Sequence, residues 1–160
     1  MIENINFVNY TTSEWIDLIL TSYRKIFDKD LISIDSNQSL EEVLFKANFY
    51  LVSHQYQNEP ILVYANQKVL ERWEMTWEQF IGTPSKYTAE TDLQSNRAKM
   101  LAIAEKQGYF DNYEGVRISA KGNRFWIKKA LIFNIYEHEN EVLTDKIIGQ
   151  AALFFNTENI

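Results

Sequence analysis

The sequence predicts a mixed α+β fold, and three observations carry that prediction. Two short apolar segments, 49–53 and 61–65, stand between polar turn signals. Helical segments with recognisable caps occupy both the stretch before them and the stretch after them. Three strand-like segments, 113–119, 124–136 and 147–155, close the chain. Two strands, several helices and three further strands cannot be an alternating parallel βαβ array; they belong to the α+β class.

Taken in order, residues 1–10 read as irregular. Thr11 and Glu14 form a capping box, in which a hydroxyl and a carboxylate three residues apart satisfy opposite orphan amides. The helix they open places Trp15, Leu18, Ile19, Tyr23, Ile26 and Phe27 on one side at three- to four-residue spacing. Residues 35–39 (DSNQS) are polar and read as a loop, the one candidate hinge. Ser39 and Glu42 give a second capping box and a short helix. The strand 49–53 runs into a polar segment that ends at Pro60, and the strand 61–65 follows. Asn66 is suited to cap a helix to about Trp73. Thr76 and Gln79 open another short helix, closed by Gly82 with Pro84 beyond it. Thr91 and Gln94 open a longer helix ended by Gly108. Lys121-Gly122-Asn123 is a tight turn between the next two strands, and residues 137–145 read as a polar loop between the last two.

The late strands are apolar on both parities. Phe125, Ile127, Leu131, Phe133 and Ile135 share one, and Trp126, Ala130, Ile132 and Tyr136 share the other. A sheet with one wet face alternates more cleanly. Both faces must be covered, by the N-terminal amphipathic helix or by a partner subunit.

At 160 residues the chain is long enough for one domain with its own core. Sixteen basic against 22 acidic side chains leave a net charge of −6, which argues against a broad nucleic-acid surface. There is no cysteine, so disulfides, thiolate metal sites and thiol nucleophiles are excluded, as is cysteinyl-flavin photochemistry. No secretory segment and no membrane-length apolar run is visible, and the expected location is the cytoplasm. No phosphate loop, dinucleotide fingerprint, nucleophile elbow or zinc-protease motif occurs.

Each candidate site residue carries two readings. His54 is a pocket residue or a strand-end group that ties down its turn; the two histidines are too far apart in sequence for a metal site. Arg117 shares its parity with Tyr113, Gly115 and Ser119, and is an anion-binding guanidinium or half of an internal ion pair. Arg97 serves the same anion or is a surface charge. Asn66 is sufficiently explained as a cap. Trp77 and Trp126 are core or ligand cage, and Tyr64 and Tyr113 are core or cavity phenols. Ser53 and His54 point to opposite sides of a strand and make a poor nucleophile–base pair.

Ser53-His54, Pro60, Tyr64-Ala65-Asn66, Trp77 and Pro84-Ser85 resemble the signature of the MEKHLA family. Gly108-Tyr109, Tyr113 with Gly115-Val116-Arg117-Ile118-Ser119, Gly122, Arg124-Phe125 and Gly149-Gln150-Ala151-Ala152 extend the resemblance over residues 15–155. It implies a PAS-like, five-stranded antiparallel sheet with helices on one face. Residues 1–160 would form one such domain, with 1–38 as an N-terminal helical extension. The family occurs at the end of plant class III homeodomain–leucine zipper regulators, where it is associated with sensing and dimerisation, and as free-standing bacterial proteins. This chain has no homeodomain or zipper, and it lacks the string that names the family; no catalytic residues come with the resemblance.

The expectation is a PAS-like sensory module that binds a small apolar or anionic molecule. Its ligand would contact His54, Tyr64, Asn66, Trp77, Arg97, Tyr113, Arg117 and Trp126. No cofactor is named by the sequence. The alternatives are a ligand-free interaction module, with a homodimer as its simplest form, and a small enzyme that uses His54 as a base.

Overall fold

The computed structural model describes residues 10–56, 59–88 and 94–160, with the backbone alone for 94–98. Helix α1 (Thr12–Phe27) opens on the Thr11–Glu14 capping box: Glu14 N–H donates to Thr11 Oγ1 at 3.1 Å and Thr11 N–H donates to Glu14 Oε1 at 2.9 Å. Helix α2 (Leu40–Phe45) has only half of the expected box. Its Glu42 carboxylate turns away from Ser39 to take Lys46 Nζ at 2.9 Å. Strands β1 (Tyr50–Gln55) and β2 (Ile61–Ala65) pair antiparallel. Helices α3 (Gln67–Trp73) and α4 (Trp77–Phe80) and a 3-10 turn (Ser85–Thr88) lead to α5 (Gln94–Gln107). The expected Thr91–Gln94 cap lies outside the described residues, as do residues 1–9.

Strands β3 (Tyr109–Ile118), β4 (Arg124–Glu139) and β5 (Val142–Phe154) complete an antiparallel sheet in the order β2-β1-β5-β4-β3. A sixth strand, β6 (Asn156–Asn159), continues beyond β5 along the early part of β4. The expected polar loop over 137–145 is instead a tight hairpin. Asn140 and Glu141 both take positive φ (52° and 65°), the geometry of a two-residue turn whose twist matches its strands.

Both faces of the sheet are covered. One carries α1, whose Trp15, Ile16, Ile19 and Tyr23 pack on Leu51, Tyr64, Phe133, Ile135 and Leu153. The helix in the chain, not a partner, seals that face. The other carries α3, α4 and α5, with Val69, Trp73 and Phe80 against Leu62, Phe125, Ile127, Ala130 and Phe154.

The parity expected for β4 breaks at one place. Phe125 and Ile127 lie with Ala130 and Ile132, not with Phe133 and Ile135. Lys129 adopts φ 53°, and the β3–β4 register shifts between the Tyr113–Ala130 and Gly115–Ile127 pairs. The extra residue of this bulge exchanges the two faces of the strand.

Candidate functional site

The parity of β1 shows where the molecule is open. Leu51, Ser53 and Gln55 are buried beneath α1, whereas Tyr50, Val52 and His54 on the alternate parity are half-buried. Of these, Val52 and His54 line a cavity of about 1060 Å³ between the sheet and the α3–α5 side. This is the upper end of the range for small-molecule sites. Its middle is apolar: Val52, Leu62, Phe80, Met100, Phe110, Ile127, Ala130 and Ile132 all contribute. His54, Tyr56 and Gln150 mark one end, and Tyr113, Gly115 and Arg117 the other.

The two ends are well separated. Gly115 pairs with Ile127, while His54 pairs with Gln150 and Gln150 with Asn134. From Ile127 to Asn134, less the bulge position, β4 advances about 20 Å at ~3.3 Å per residue. His54 and Arg117 therefore serve opposite ends of the cavity, and only an elongated molecule would meet both.

At the β3 end, Tyr113 and Arg117 arch toward each other over Gly115. Arg117 Nη2 donates to the Tyr113 hydroxyl at 3.0 Å and Nη1 donates to the Val116 carbonyl at 3.0 Å. Glycine is required beneath them: a Cβ on residue 115 would stand 2.6 Å from the Tyr113 hydroxyl oxygen and 2.7 Å from Arg117 Nη1. A strand places residues i, i+2 and i+4 on one face, so the Tyr-x-Gly-x-Arg spacing alone builds the arch.

At the other end a buried polar chain runs through the sheet. Asn134 Nδ2 donates to the Ala104 carbonyl of α5 at 2.9 Å, and Gln150 Nε2 donates to Asn134 Oδ1 at 3.2 Å. On the opposite face, Ser53 Oγ donates to the Gln150 carbonyl and accepts from Trp15 Nε1, both at 3.0 Å. Gly149 lets the indole lie this close, because a Cβ there would fall 2.9 Å from the Trp15 ring.

Of the residues singled out from sequence, His54, Tyr113, Arg117 and Trp126 line the cavity. Trp126 is 37% exposed and points to the alternate side of β4 from Phe125 and Ile127. Tyr64, Asn66 and Trp77 lie elsewhere. Tyr64 sits under α1 with Trp77 at its edge (ring centroids 5.7 Å apart), and burial, with Glu41 nearby, pushes its phenol pKa up. Asn66 spends both ends of its amide internally: Oδ1 accepts from Leu51 N–H and Val69 N–H, and Nδ2 donates to the Phe49 carbonyl. Arg97 falls on α5 with its side chain outside the described residues. Gln150 and Asn134 were not singled out as functional. Their signal was a lone amide inside each of two apolar strands, where an unpaired polar group would be costly.

A family comparison bears on this architecture directly: the MEKHLA domain matches residues 13–159, nearly the whole chain. The chain belongs to the MEKHLA domain family. Among solved structures, a PAS domain of a protein from Colwellia psychrerythraea aligns with a TM-score of 0.58 at 18% identity, over 75% of this chain and 92% of that one. The light-state dimer of the fungal blue-light photoreceptor Vivid aligns with a TM-score of 0.54 at 14% identity, over 91% and 93%. An RNA-binding light-oxygen-voltage receptor aligns with a TM-score of 0.55 at 13% identity, over 78% and 36%. No curated protein matches the chain. At these identities the likeness is one of fold, and it confirms the PAS-like α+β sheet of this MEKHLA domain. Among the described residues no helix is long and apolar enough to cross a membrane, and no group of three or more acidic or histidine side chains is placed to hold a metal.

Proposed function

We propose that this MEKHLA domain is a sensory module that binds a small molecule between its sheet and α3–α5, working in the cytoplasm without catalysis and without nucleic acid. The observation that carries the reading is the cavity of about 1060 Å³ on the α3–α5 side of the sheet. It has an apolar middle and a few placed polar groups, the pattern of a ligand site. His54 lies at one end of it, and Ser53 is committed to the opposite face by its bonds to Trp15 and Gln150. That placement keeps the Ser53 hydroxyl away from His54 and favours binding over catalysis.

The signal has a physical route. A molecule in the cavity bears on α5 and on the cavity face of β4 and β5. The Ala104–Asn134–Gln150 bonds and the Gln150–Ser53–Trp15 bonds join that face to α1. Occupancy would shift the balance between two packings of α1 on the sheet, by as much as the ligand prefers one of them.

Native mass spectrometry of protein purified from its own host, before and after denaturation, tests the reading. A stoichiometric small molecule released on denaturation supports it. A bare dimer would move the function to subunit pairing.

A further inference from the structure

Arg117 is a half-buried guanidinium at the edge of an apolar cavity, and no acidic side chain among the described residues lies within ion-pair distance of it. Its neighbour Glu114 also borders the cavity, but it alternates to the other side of β3, is exposed and makes no ion pair with Arg117. Glu59, at the opposite end of the cavity, is held by Lys86 at 2.7 Å. A guanidinium carries five N–H donors. Two are used here, on the Val116 carbonyl and the Tyr113 hydroxyl. Both bonds go to neutral oxygens, so they orient the fork without neutralising it. Gly115 leaves the space in which this arrangement stands.

A partly desolvated cation without a counter-ion is unfavourable, and a planar fork held in one orientation suits a two-oxygen anion. Beyond the fork the lining turns apolar, through Ile127, Ala130, Phe110, Ile132 and Met100 toward the His54 end. We propose that the cavity takes an amphipathic molecule with an oxyanion headgroup, carboxylate or phosphate, seated on Arg117. An apolar body of up to about 20 Å would lie along β4. This rests on the cavity being a ligand site, as argued above, and adds the chemical class and the end at which the headgroup sits.

Isothermal titration of the purified protein, stripped of bound molecules, with dodecanoate, dodecyl phosphate and dodecanol separates the two ideas. The expected result is that at least one of the anions binds about tenfold or more tightly than the alcohol, the advantage of a charge-assisted hydrogen bond. Whichever anion does so identifies the headgroup. Arg117→Gln should bring that anion to the affinity of the alcohol and leave the alcohol unchanged, and Arg117→Lys should restore part of the difference. Equal binding of all three probes by the wild-type protein would overturn the headgroup assignment and keep the cavity as a site. An anion preference that survives in Arg117→Gln would overturn the role of Arg117. Binding of none of the three would overturn both the assignment and the ligand site for this class of molecule.

Discussion

The indole of Trp15 donates a 3.0 Å hydrogen bond to the hydroxyl of Ser53, both groups buried, and so ties α1 to β1 across the closed face of the sheet. Ser53 is well suited to this position, because its hydroxyl accepts from the indole while donating to the Gln150 carbonyl at 3.0 Å. Aliphatic packing alone would hold the helix there, but with less control over its register.

Ser53→Ala removes the acceptor and leaves a buried N–H without a partner. The cost of such an orphan is about 1–3 kcal/mol. The expected outcome is a loss of that size in urea unfolding, with faster amide exchange in α1 than in α3. A variant with unchanged stability and unchanged exchange in α1 would show that the bond does not anchor the helix.

Lys129 is the residue on which the two faces of β4 change places. Its left-handed backbone costs roughly 1–2 kcal/mol for a side chain other than glycine. Lys129→Gly should therefore keep or raise Tm, since the exposed lysine side chain contributes little packing. Deletion of Lys129 should also keep the faces as they are. It removes the extra residue itself, so Phe125, Ile127, Ala130 and Ile132 then share one face by strict alternation, and Phe125 stays edge-on to Trp73 at 4.8 Å. Displacement of Phe125 or Ile127 would forfeit about 1.5–3 kcal/mol of burial for each. A deletion protein whose stability falls by that amount, read by circular dichroism, would refute this account of the bulge.

The same bulge explains what the sequence hid. Helix ends were legible because their causes are local: Thr11 with Glu14, Thr76 with Gln79, and Asn66 each meet a partner within three residues. The cover of the second face was legible because the α1 stripe is long and regular. The exchange at Lys129 was not, because it rests on a lysine at positive φ, a residue that rarely marks such a place. The Asn140-Glu141 turn was concealed in the same way, lacking the glycine that usually announces a two-residue hairpin. In the site, the shared parity of Tyr113, Gly115 and Arg117 could be read from spacing alone. The roles of Asn134 and Gln150 could not, since their partners come from α5 and from each other's strand.

Glu74 fastens the hairpin at the β3–β4 turn to the end of α3, and its titration should be visible in the stability of the fold. Its Oε1 accepts from the Ser119 hydroxyl at 2.7 Å and from Asn123 Nδ2 at 2.5 Å, and Lys121 stands 3.6 Å from Oε2. The Ser119 bond, then the Asn123 bond, with a smaller contribution from Lys121, hold its carboxyl below the ordinary value of 4.5. A carboxylate whose folded pKa is depressed adds stability above its unfolded pKa and loses it as pH falls through the folded one. The difference in unfolding free energy between the wild type and Glu74→Gln should be constant near neutral pH. It should narrow below about pH 4.5, because the wild type alone must take up that proton. Urea unfolding of both proteins at a series of pH values would measure it. A difference that stays flat down to pH 3 would mean that the charge on Glu74 contributes nothing, and that the hairpin is held by its neutral hydrogen bonds alone.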